Sequence, residues 1–339
     1  MSRKRVSIKD LATLADVSAP TVSRALRGEG RMSEDTRERI TQLAREHGYM
    51  PSLVARGLVM RRSHCIGLVV PQFADPFHSE VAQGVEDEAR RHGYSLFLAS
   101  MGVDPEREID VVRTFHGRQV DGIIASSSRV GALYQEKLRD TDIPILLLNS
   151  HVEVGGMHSL YHDDYVGGRL LMQHLLERGY RRIAFIGNDR GARTSLIRRK
   201  AWEDMLSQAG LAAEVEANGP NGRQIGGVIA TEKVLEAALS LWGRHPEAIY
   251  CYNDTMAIGA LSVLRQNNLK VPRDIAITGF DDVDIAAYTE PPLTTLHQPR
   301  YEMGKAAMQM LLSLIDHQIP WEVPQTSVVT GKLVIREST

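Results

Sequence analysis

From Cys65 onward, short apolar runs alternate with amphipathic stretches, and this alternation restricts the possible folds more than any other feature of the chain. The runs read CIGLVV, YSLFLAS, DGIIASS and IPILLLNS, followed by RRIAFIGN, EAIYCYND and RDIAITGF. Segments with helical spacing of apolar residues, such as FHSEVAQGVEDEARRHG, separate them. Parallel strands need a crossover connection, which is usually a helix. We therefore predict an α/β class for this part of the chain, with two tandem doubly wound units.

Polar and aromatic residues follow these runs directly. In doubly wound folds ligands bind beyond the carboxyl ends of the strands. Any one of these residues could instead cap the next helix, but together they supply the amides, carboxylates and aromatic rings that a small hydroxylated ligand requires. They are Gln72, Phe73, Asp75, Phe77, His78, Ser126, Ser127, Ser128 and Asn149 in the first series, and Asn188, Asp189, Arg190, Asn253, Asp254, Asp281 and Asp282 in the second.

The stretch NDRGARTSLIRRK places several cations at the start of a predicted helix. Positive charge is unfavourable at a helix N-terminus unless an anion is present. A carboxylate or phosphate ligand could meet Arg193 and Arg198, with Thr194 beside them. Alternatively, the stretch is a solvated helix start, particularly at Arg199 and Lys200. We favour an anionic ligand at this stretch.

The N-terminal part of the chain is basic although the whole is nearly neutral. Residues 1–62 hold 13 Lys and Arg against 7 Asp and Glu, whereas the remaining residues hold 27 against 35. A small basic segment joined to a larger acidic one is typical of a nucleic-acid-binding head. Chance clustering of surface charge is the alternative.

Three short amphipathic helices are predicted before residue 50. Ser7 and Asp10 have the spacing of a capping box, and Ser18 and Ser33 are suitable N-caps for the second and third helices. Pro20 then lies in the first turn of the second helix, where its missing N–H loses no hydrogen bond. Two short helices joined by a tight turn and followed by a third are typical of a helix-turn-helix.

The second helix has an outward face that we interpret as reading double-stranded DNA in the major groove. There Arg24 can donate two hydrogen bonds to a guanine edge, while Ala19 and Pro20 can contact a thymine methyl group. A solvated face without a partner is the alternative. The face consists of Ala19, Pro20, Ser23, Arg24 and Arg27.

A short helix, Leu53–Val59, is predicted after this region, in YMPSLVARGLVMRRSH. Its apolar content exceeds what a linker needs, and Arg56, Arg61 and Arg62 flank it. It is either a plain tether or a helix that forms on DNA and inserts an apolar wedge into the minor groove.

Several classes of protein are disfavoured by the sequence. Cys65 and Cys251 both lie in strand-like runs, which indicates free thiols in a reducing compartment. The chain has no apolar stretch of membrane-spanning length and no signal-peptide pattern, so we expect a cytoplasmic protein without a membrane partner, and an exported solute-binding protein is disfavoured. We find no phosphate-binding Gly-rich loop, HExxH, GxSxG or zinc spacing, and so expect no enzyme, cofactor or metal site.

Several motifs resemble the lactose/galactose repressor (LacI/GalR) family of bacterial transcription regulators. They are TVSRAL, Y-x-P-S-x-x-A-R-x-L, the ND of YCYNDTMAIGAL and the DD of GFDDVDIAAYTEPPLTT. The resemblance implies DNA contacts by Thr21, Ser23 and Arg24, with operator choice at Ala19 and Pro20. It implies a minor-groove lever at Leu58, with Ala55 beside it. The candidate DNA-binding residues are therefore Ser18, Ala19, Pro20, Thr21, Ser23, Arg24, Arg27, Ala55, Arg56 and Leu58.

The same resemblance implies an effector site in a periplasmic-binding-protein-like domain. Matched positions are Asn253, Asp281, Arg198, Asp164 and Phe77. The loop NGPNGRQIGG has no aromatic residue where many relatives hold a sugar ring, which argues against a simple pyranose. RTSLIRRKAWEDML resembles the gluconate-regulator branch, whereas PPLTTLHQPRYEMG resembles the cytidine-regulator branch. On the first resemblance we favour a sugar acid such as gluconate as the effector; a neutral sugar or a nucleoside is the alternative. The candidate effector residues are Phe73, Phe77, His78, Ser126, Asp164, Arg193, Thr194, Arg198, Asn253 and Asp281.

These observations predict a helix-turn-helix domain at 1–50, a hinge helix or linker at 51–62, and an effector-binding and dimerisation domain at 63–339. The two α/β subdomains are expected at about 63–162 with 294–324, and about 163–293 with 325–339. Because one helix-turn-helix reads one half-site, we expect a homodimer on a pseudo-palindromic operator. The chain ends at VIREST without a tetramerising heptad, which favours the dimer over a tetramer.

Overall fold

The computed structural model describes residues 6–50, 62–102, 104–130, 143–150 and 157–339. It divides into two compact units, Met1–Ser63 and His64–Thr339, here the N-terminal and C-terminal units. The predicted hinge helix, with Ala55, Arg56 and Leu58, lies outside the described residues. Within the described ranges, no helix is long and apolar enough to cross a membrane.

The N-terminal unit contains the three predicted helices, α1 (Ile8–Leu14), α2 (Ala19–Leu26) and α3 (Glu34–Glu46). Each begins after a serine whose hydroxyl accepts a backbone N–H of the first turn, and Ser7 forms the predicted capping box with Asp10. Buried side chains from all three helices form one small core: Leu11, Ala12, Ala15, Val22, Ala25, Ile40 and Ala44. The chain leaves α2 through Gly28, whose φ of +73° is readily adopted only by glycine.

The C-terminal unit begins with a parallel sheet that has six strands among the described residues, in the order β11-β5-β4-β3-β1-β2. The strands are β1 (Cys65–Val70), β2 (Ser95–Ser100), β3 (Gly122–Ser126), β4 (Ile145–Leu148), β5 (His158–His162) and β11 (Thr326–Val329). Helices α4 (Pro76–Arg91) and α10 (Arg300–Ile315) contribute to the core on one face, and α5 (Pro105–Gly117) to the core on the other. Alternate strand residues, such as Leu68 and Val69, serve these two cores. This sheet and its helices are the first lobe.

A second parallel sheet, in the order β7-β6-β8-β9, forms the second lobe. Its strands are β6 (Ile183–Asn188), β7 (Glu216–Gly219), β8 (Ala248–Cys251) and β9 (Ala276–Thr278). Its helices are α6 (Asp164–Glu177), α7 (Ala192–Gln208), α8 (Gln224–Trp242), α9 (Asp254–Gln266) and a 3₁₀ helix, Asp284–Tyr288. Strands β10 (Thr295–His297) and β12 (Lys332–Val334) pair antiparallel. The α/β prediction with two tandem units is therefore confirmed.

Residues 294–339 divide between the two lobes differently from the prediction. Thr326–Val329 was expected in the second lobe, but it pairs in parallel with β5 at the edge of the first sheet. Residues 294–297 were expected in the first lobe, but Thr294 bridges to Thr278 of the second sheet. The subdomain boundaries are wrong at these two places because the pairing partners, not the local sequence, decide where such short strands lie. Within the described residues the chain thus passes between the lobes after β5, after β10 and after β11.

Candidate ligand cleft and nucleic-acid interface

A cavity of about 320 Å³ lies where the strand ends of the two lobes face each other. From the first lobe, Gln72, Ser127 and Asn149 follow β1, β3 and β4 and line the cavity. The second lobe contributes residues after β8 and β9, together with the first turns of α7 and α8. A smaller cavity of about 130 Å³ adjoins it and shares several of its lining residues. We call these the inner and outer cavities of the cleft.

Arg198 is the buried cation of the inner cavity, with 2% of its surface exposed. One terminal nitrogen donates to the carbonyl of Tyr252 at 2.6 Å, and the other lies 3.0 Å from Asp164 and 3.6 Å from Asp281. Its guanidinium lies 3.6 Å from the ring centroid of Phe280. Burial alone would lower the pKa of Arg198, but the two carboxylates outweigh it and raise the pKa. Arg198 is therefore charged, and most of its donors are directed at the protein itself.

Unlike the two terminal nitrogens, the Nε atom of Arg198 does not donate to the described part of the protein. It is buried and has no hydrogen-bond partner among the described residues. A buried N–H without an acceptor is unfavourable, and water or a ligand usually supplies one. The inner cavity, which Arg198 lines, is where such an acceptor could bind.

Asp281 is a carboxylate whose charge depends on conditions near neutrality. It is 6% exposed, and Gln298 donates to it at 2.6 Å. Burial raises the pKa of Asp281 to about 7, although Arg198 opposes the shift. Asp281 can therefore accept hydrogen bonds from hydroxyl groups when ionised and donate one when protonated.

Asn253 fixes the opposite wall. Its side-chain oxygen accepts the N–H of Met256 as the N-cap of α9, and its Nδ2 donates to the carbonyl of Gly222 at 3.0 Å. A Cβ at Gly222 would lie 2.9 Å from Asn188 Nδ2 and 3.4 Å from the Tyr252 ring. A side chain at position 222, in the loop NGPNGRQIGG, would therefore disturb this wall.

Positive φ angles of non-glycine residues concentrate at these strand ends. Ser127, Asn149 and Asp281, at 53°, 50° and 111°, all line the inner cavity. Asp282, at 56°, follows directly. Such conformations cost about 1–3 kcal/mol each and are typical of binding sites, where the surrounding structure holds them.

Most of the predicted effector residues converge on the cleft. Phe77, His78, Thr194, Arg198, Asn253 and Asp281 line the inner cavity, and Arg193 lines the outer one. Two others lie behind the lining: Asp164 contacts Arg198, and the hydroxyl of Ser126 lies 3.3 Å from Nδ1 of His78. Burial lowers the pKa of His78, against the opposing effect of Asp75, so its ring is held neutral.

Phe73 is not part of the cleft lining. Its side chain is 54% exposed and lines a separate groove with Leu96 and Leu98, beyond Gln72 and His78. The prediction placed it in the site because it follows β1, but proximity to a strand end does not determine which way a side chain points.

Within the described part of the chain, no group of three or more His, Cys, Asp or Glu residues could hold a metal ion.

Other lining residues did not belong to the predicted set. Tyr252 follows β8 directly, so its position at a strand end could have identified it. Burial raises the pKa of Tyr252 to about 12. Arg129 lines the outer cavity and Arg223 the inner one. Both lie further along their loops than the residues that directly follow the strands, so no sequence pattern identified them.

The candidate DNA-reading face of α2 is largely as predicted. Pro20 and Arg24 are exposed, and Ser23 and Thr21 are half-buried. Ser18 accepts the N–H of Thr21 as the N-cap.

Two residues of this face differ from the prediction. Ala19 packs partly against the core, because it sits in the first turn facing the other helices. Arg27 is the C-cap rather than a helical residue, and it pairs with Glu29 at 2.8 Å and donates to Ser23 at 3.1 Å. Arg24 is therefore the exposed arginine that projects from the helix itself.

Comparisons with known proteins agree with both halves of this picture. Residues 7–52 match the family of bacterial regulatory proteins of the lacI type, and residues 172–339 match a periplasmic binding protein-like domain. The transcriptional repressor PurR of Vibrio atlanticus is 33% identical over 92% of this chain and 93% of its own. The ribose operon repressor of Haemophilus influenzae is 32% identical over 98% of each.

A solved structure of similar architecture is the Lac repressor dimer bound to operator and the anti-inducer ONPF. It matches with a TM-score of 0.89 and 25% identity over 99% of both chains. The relatives named here are DNA-binding transcriptional repressors and not enzymes. Given the helix-turn-helix unit, the two-lobed cleft and these full-length relatives, the chain belongs to the LacI family of bacterial transcription regulators.

Proposed function

We propose that this repressor is controlled by a small polyhydroxylated carboxylate, a sugar acid such as gluconate. The observation that carries the proposal is the composition of the cleft, which joins a polar inner cavity to an outer cavity lined by Arg129, Arg190 and Arg193. Asp281, Asn253 and the free Nε of Arg198 suit a chain of hydroxyl groups. The arginines suit a carboxylate.

A neutral sugar or a nucleoside is the second candidate. Arg198 is already paired with Asp164 and Asp281, so the inner cavity by itself does not need an anionic ligand. The name of the Haemophilus influenzae relative, a ribose operon repressor, supports the same alternative. A neutral ligand, unlike a sugar acid, would make no use of the arginines that line the outer cavity.

The proposed control is a linkage between the cleft and a DNA operator. The effector closes the two lobes, and closure shifts the interface of a homodimer and acts through the predicted hinge segment, which lies outside the described residues, on operator binding. Each N-terminal unit reads one half of a pseudo-palindrome. Because coupling is reciprocal, an effector that weakens operator binding is itself bound more weakly by the operator complex.

A ligand panel tests the proposal. We expect gluconate to raise the melting temperature of the purified protein and to change its affinity for an operator selected from random duplexes. Ribose, glucose and nucleosides serve as comparison ligands. Stabilisation by the neutral compounds and not by gluconate would establish the second candidate instead. A change in operator affinity of either sign identifies the effector and tells whether it is an inducer or a corepressor.

Replacing Arg24 by alanine tests the proposed DNA-reading face. We expect operator affinity to fall by about 5- to 150-fold and the preference for one base pair per half-site to relax, since a bidentate base contact contributes about 1–3 kcal/mol. Fluorescence anisotropy with operator variants measures both effects. Arg39→Ala, an exposed arginine of α3, is the matched control for loss of one charge. Equal weakening by the two variants would mean that Arg24 contributes charge but no base contact.

Asp281→Asn should alter the dependence of stability on pH. The folded protein keeps the Asp281 proton up to about pH 7, whereas the group's ordinary pKa is 3.8. The folded state therefore binds more protons between these values, and its stability falls as the pH rises through them. We expect the variant to gain about 1 kcal/mol per pH unit relative to the original protein between pH 5 and 7. Urea unfolding at several pH values measures this; parallel curves for the two proteins would show that Asp281 does not titrate in this range.

A further inference from the structure

The outer cavity collects cations from both lobes at its mouth. Arg129 follows β3 of the first lobe, whereas Arg190 and Arg193 stand at the start of α7 in the second. Asp75 is the acidic residue of this lining, and its carboxylate accepts the N–H of Phe77 as the N-cap of α4. Among the described residues the charge of this lining is therefore positive, and it comes from parts of both lobes that meet in the cleft.

The backbone of α7 adds to this positive potential. Helix α7 is 17 residues long, and Gly191 precedes it without any side-chain cap among the described residues. The first N–H groups of a helix carry a partial positive charge and bind anions when no side chain caps them. Gly191, Arg193 and Thr194 of this helix start all line the outer cavity.

Arg129 connects the lobes directly. Its backbone N–H donates to the buried carboxylate of Glu108 at 3.0 Å, which fixes the loop after β3. Its guanidinium reaches across the cleft and donates to the carbonyl of Arg190. Partial burial lowers the pKa of Arg129, and nearby Arg190 adds to the effect against the opposing influence of Tyr252 and Glu108. An anion beside Arg129 would relieve this unfavourable placement.

A further donor without a partner points to a ligand that spans the two cavities. The Nε of Arg198 lacks an acceptor in the described structure, and Arg198, which is 2% exposed, lines the adjoining inner cavity. Gln72, Asn149 and Tyr252 line both cavities, so one extended ligand can contact the inner and outer sets of donors at once.

From these observations we propose that the outer cavity is an anion subsite shared by the two lobes, in which Arg129 and Arg193 bind the carboxylate of the ligand from opposite sides. Arg129 thereby becomes a residue that determines specificity for charged over neutral ligands. The identity of the carboxylate ligand rests on the proposed function; the existence of an anion subsite does not.

The first test compares gluconate with sorbitol, which has the same six-carbon chain but no carboxylate. By isothermal titration calorimetry, Arg129→Gln and Arg193→Gln should each lose about 10- to 100-fold in gluconate affinity, since a hydrogen bond to a charged group contributes about 1.5–3 kcal/mol. Sorbitol affinity should change less than about twofold. Because both arginines bind the same group, the double variant should lose less than the product of the single losses. Arg244→Gln, an exposed arginine remote from the cleft lining, controls for the lost charge.

The second test uses inorganic sulfate alone and does not depend on the sugar acid. At constant ionic strength set with chloride, sulfate should raise the melting temperature of the original protein and of Arg244→Gln more than that of Arg129→Gln or Arg193→Gln. If gluconate does not bind but sulfate behaves in this way, the proposed effector is wrong and the anion subsite stands. If sulfate stabilises all four proteins equally, the anion subsite is refuted. It is also refuted if gluconate and sorbitol lose affinity equally in Arg129→Gln.

Discussion

Arg198→Ala should lower the free energy of unfolding of the C-terminal unit by about 3–5 kcal/mol. The substitution leaves the buried carboxylates of Asp164 and Asp281 without their shared cation, and it removes the donor to the Tyr252 carbonyl. Uncompensated charges in such a place are strongly unfavourable. Urea unfolding followed by tryptophan fluorescence measures the loss, since all three tryptophans lie in this unit. We also expect the variant to lose its response to any cleft ligand.

The neighbouring arginine provides a matched control for this prediction. Arg199 lies at the next position of α7 and pairs with Glu216 and Glu203, but its side chain is 38% exposed. Exposed ion pairs contribute at most about 1 kcal/mol, so Arg199→Ala should cost less than that. Adding Asp164→Asn to Arg198→Ala should recover part of the loss, because it removes one of the stranded charges. If the two alanine variants were equally stable, the buried network would not stabilise the unit.

The pairing of Arg198 with the protein's own carboxylates bears on how the cleft recognises a charged ligand. Sequence reasoning treated Arg198 as a partner for an anionic ligand, but Arg198 is already paired with Asp164 and lies close to Asp281. Loss of binding in Arg198→Ala would therefore follow from the collapse of the network, whatever the ligand. If the proposed anion subsite exists, we expect substitution of Arg129 or Arg193, at the outer cavity, to separate an acid from a neutral sugar.

The apolar runs were sufficient to predict most of the sheet framework. All seven correspond to strands: β1 to β4, β6, β8 and β9. Of the described parallel strands that gave no signal, Glu216–Gly219 and Thr326–Val329 lie at sheet edges and are half or mostly exposed. The third, β5, pairs on both sides, but it has no apolar run. Such segments become strands because a neighbouring strand offers its backbone, and that pairing cannot be inferred from a local pattern.

The site was predictable as a set of strand ends but not as a charge distribution. Topology alone brings the ends of β1, β3 and β4 to one edge of the first sheet, and those of β6, β8 and β9 to one edge of the second. It does not reveal that Asp164, Arg198 and Asp281, far apart in sequence, form one buried network. Nor does it reveal that Phe73 turns away from the cleft.

Leu11→Ala should abolish operator binding while leaving ligand binding in the cleft unchanged. The core of the N-terminal unit is small: Leu11, Val22 and Ile40 are its large, nearly fully buried side chains, its other buried members are alanines, and partly buried residues such as Leu26 and Leu43 pack against them. Domains of this size have little stability in reserve, and a buried Leu→Ala substitution costs about 2–5 kcal/mol. We therefore expect the three helices to melt and the operator affinity to fall by more than about a hundredfold. Circular dichroism and operator anisotropy measure the two effects.

Leu14→Ala is the matched control for this prediction. Leu14 lies in the same helix, one turn after Leu11, but it is 50% exposed. Leu14→Ala therefore removes the same atoms from α1 without opening a cavity, and its effect on stability should stay within about 0.5 kcal/mol. The two leucines differ in burial, because Leu11 is fully enclosed whereas Leu14 is the last residue of α1 and is half exposed. Tight operator binding by Leu11→Ala would mean that this core is not what holds α2 in place, and a loss in both variants would point to α1 as a contact surface instead.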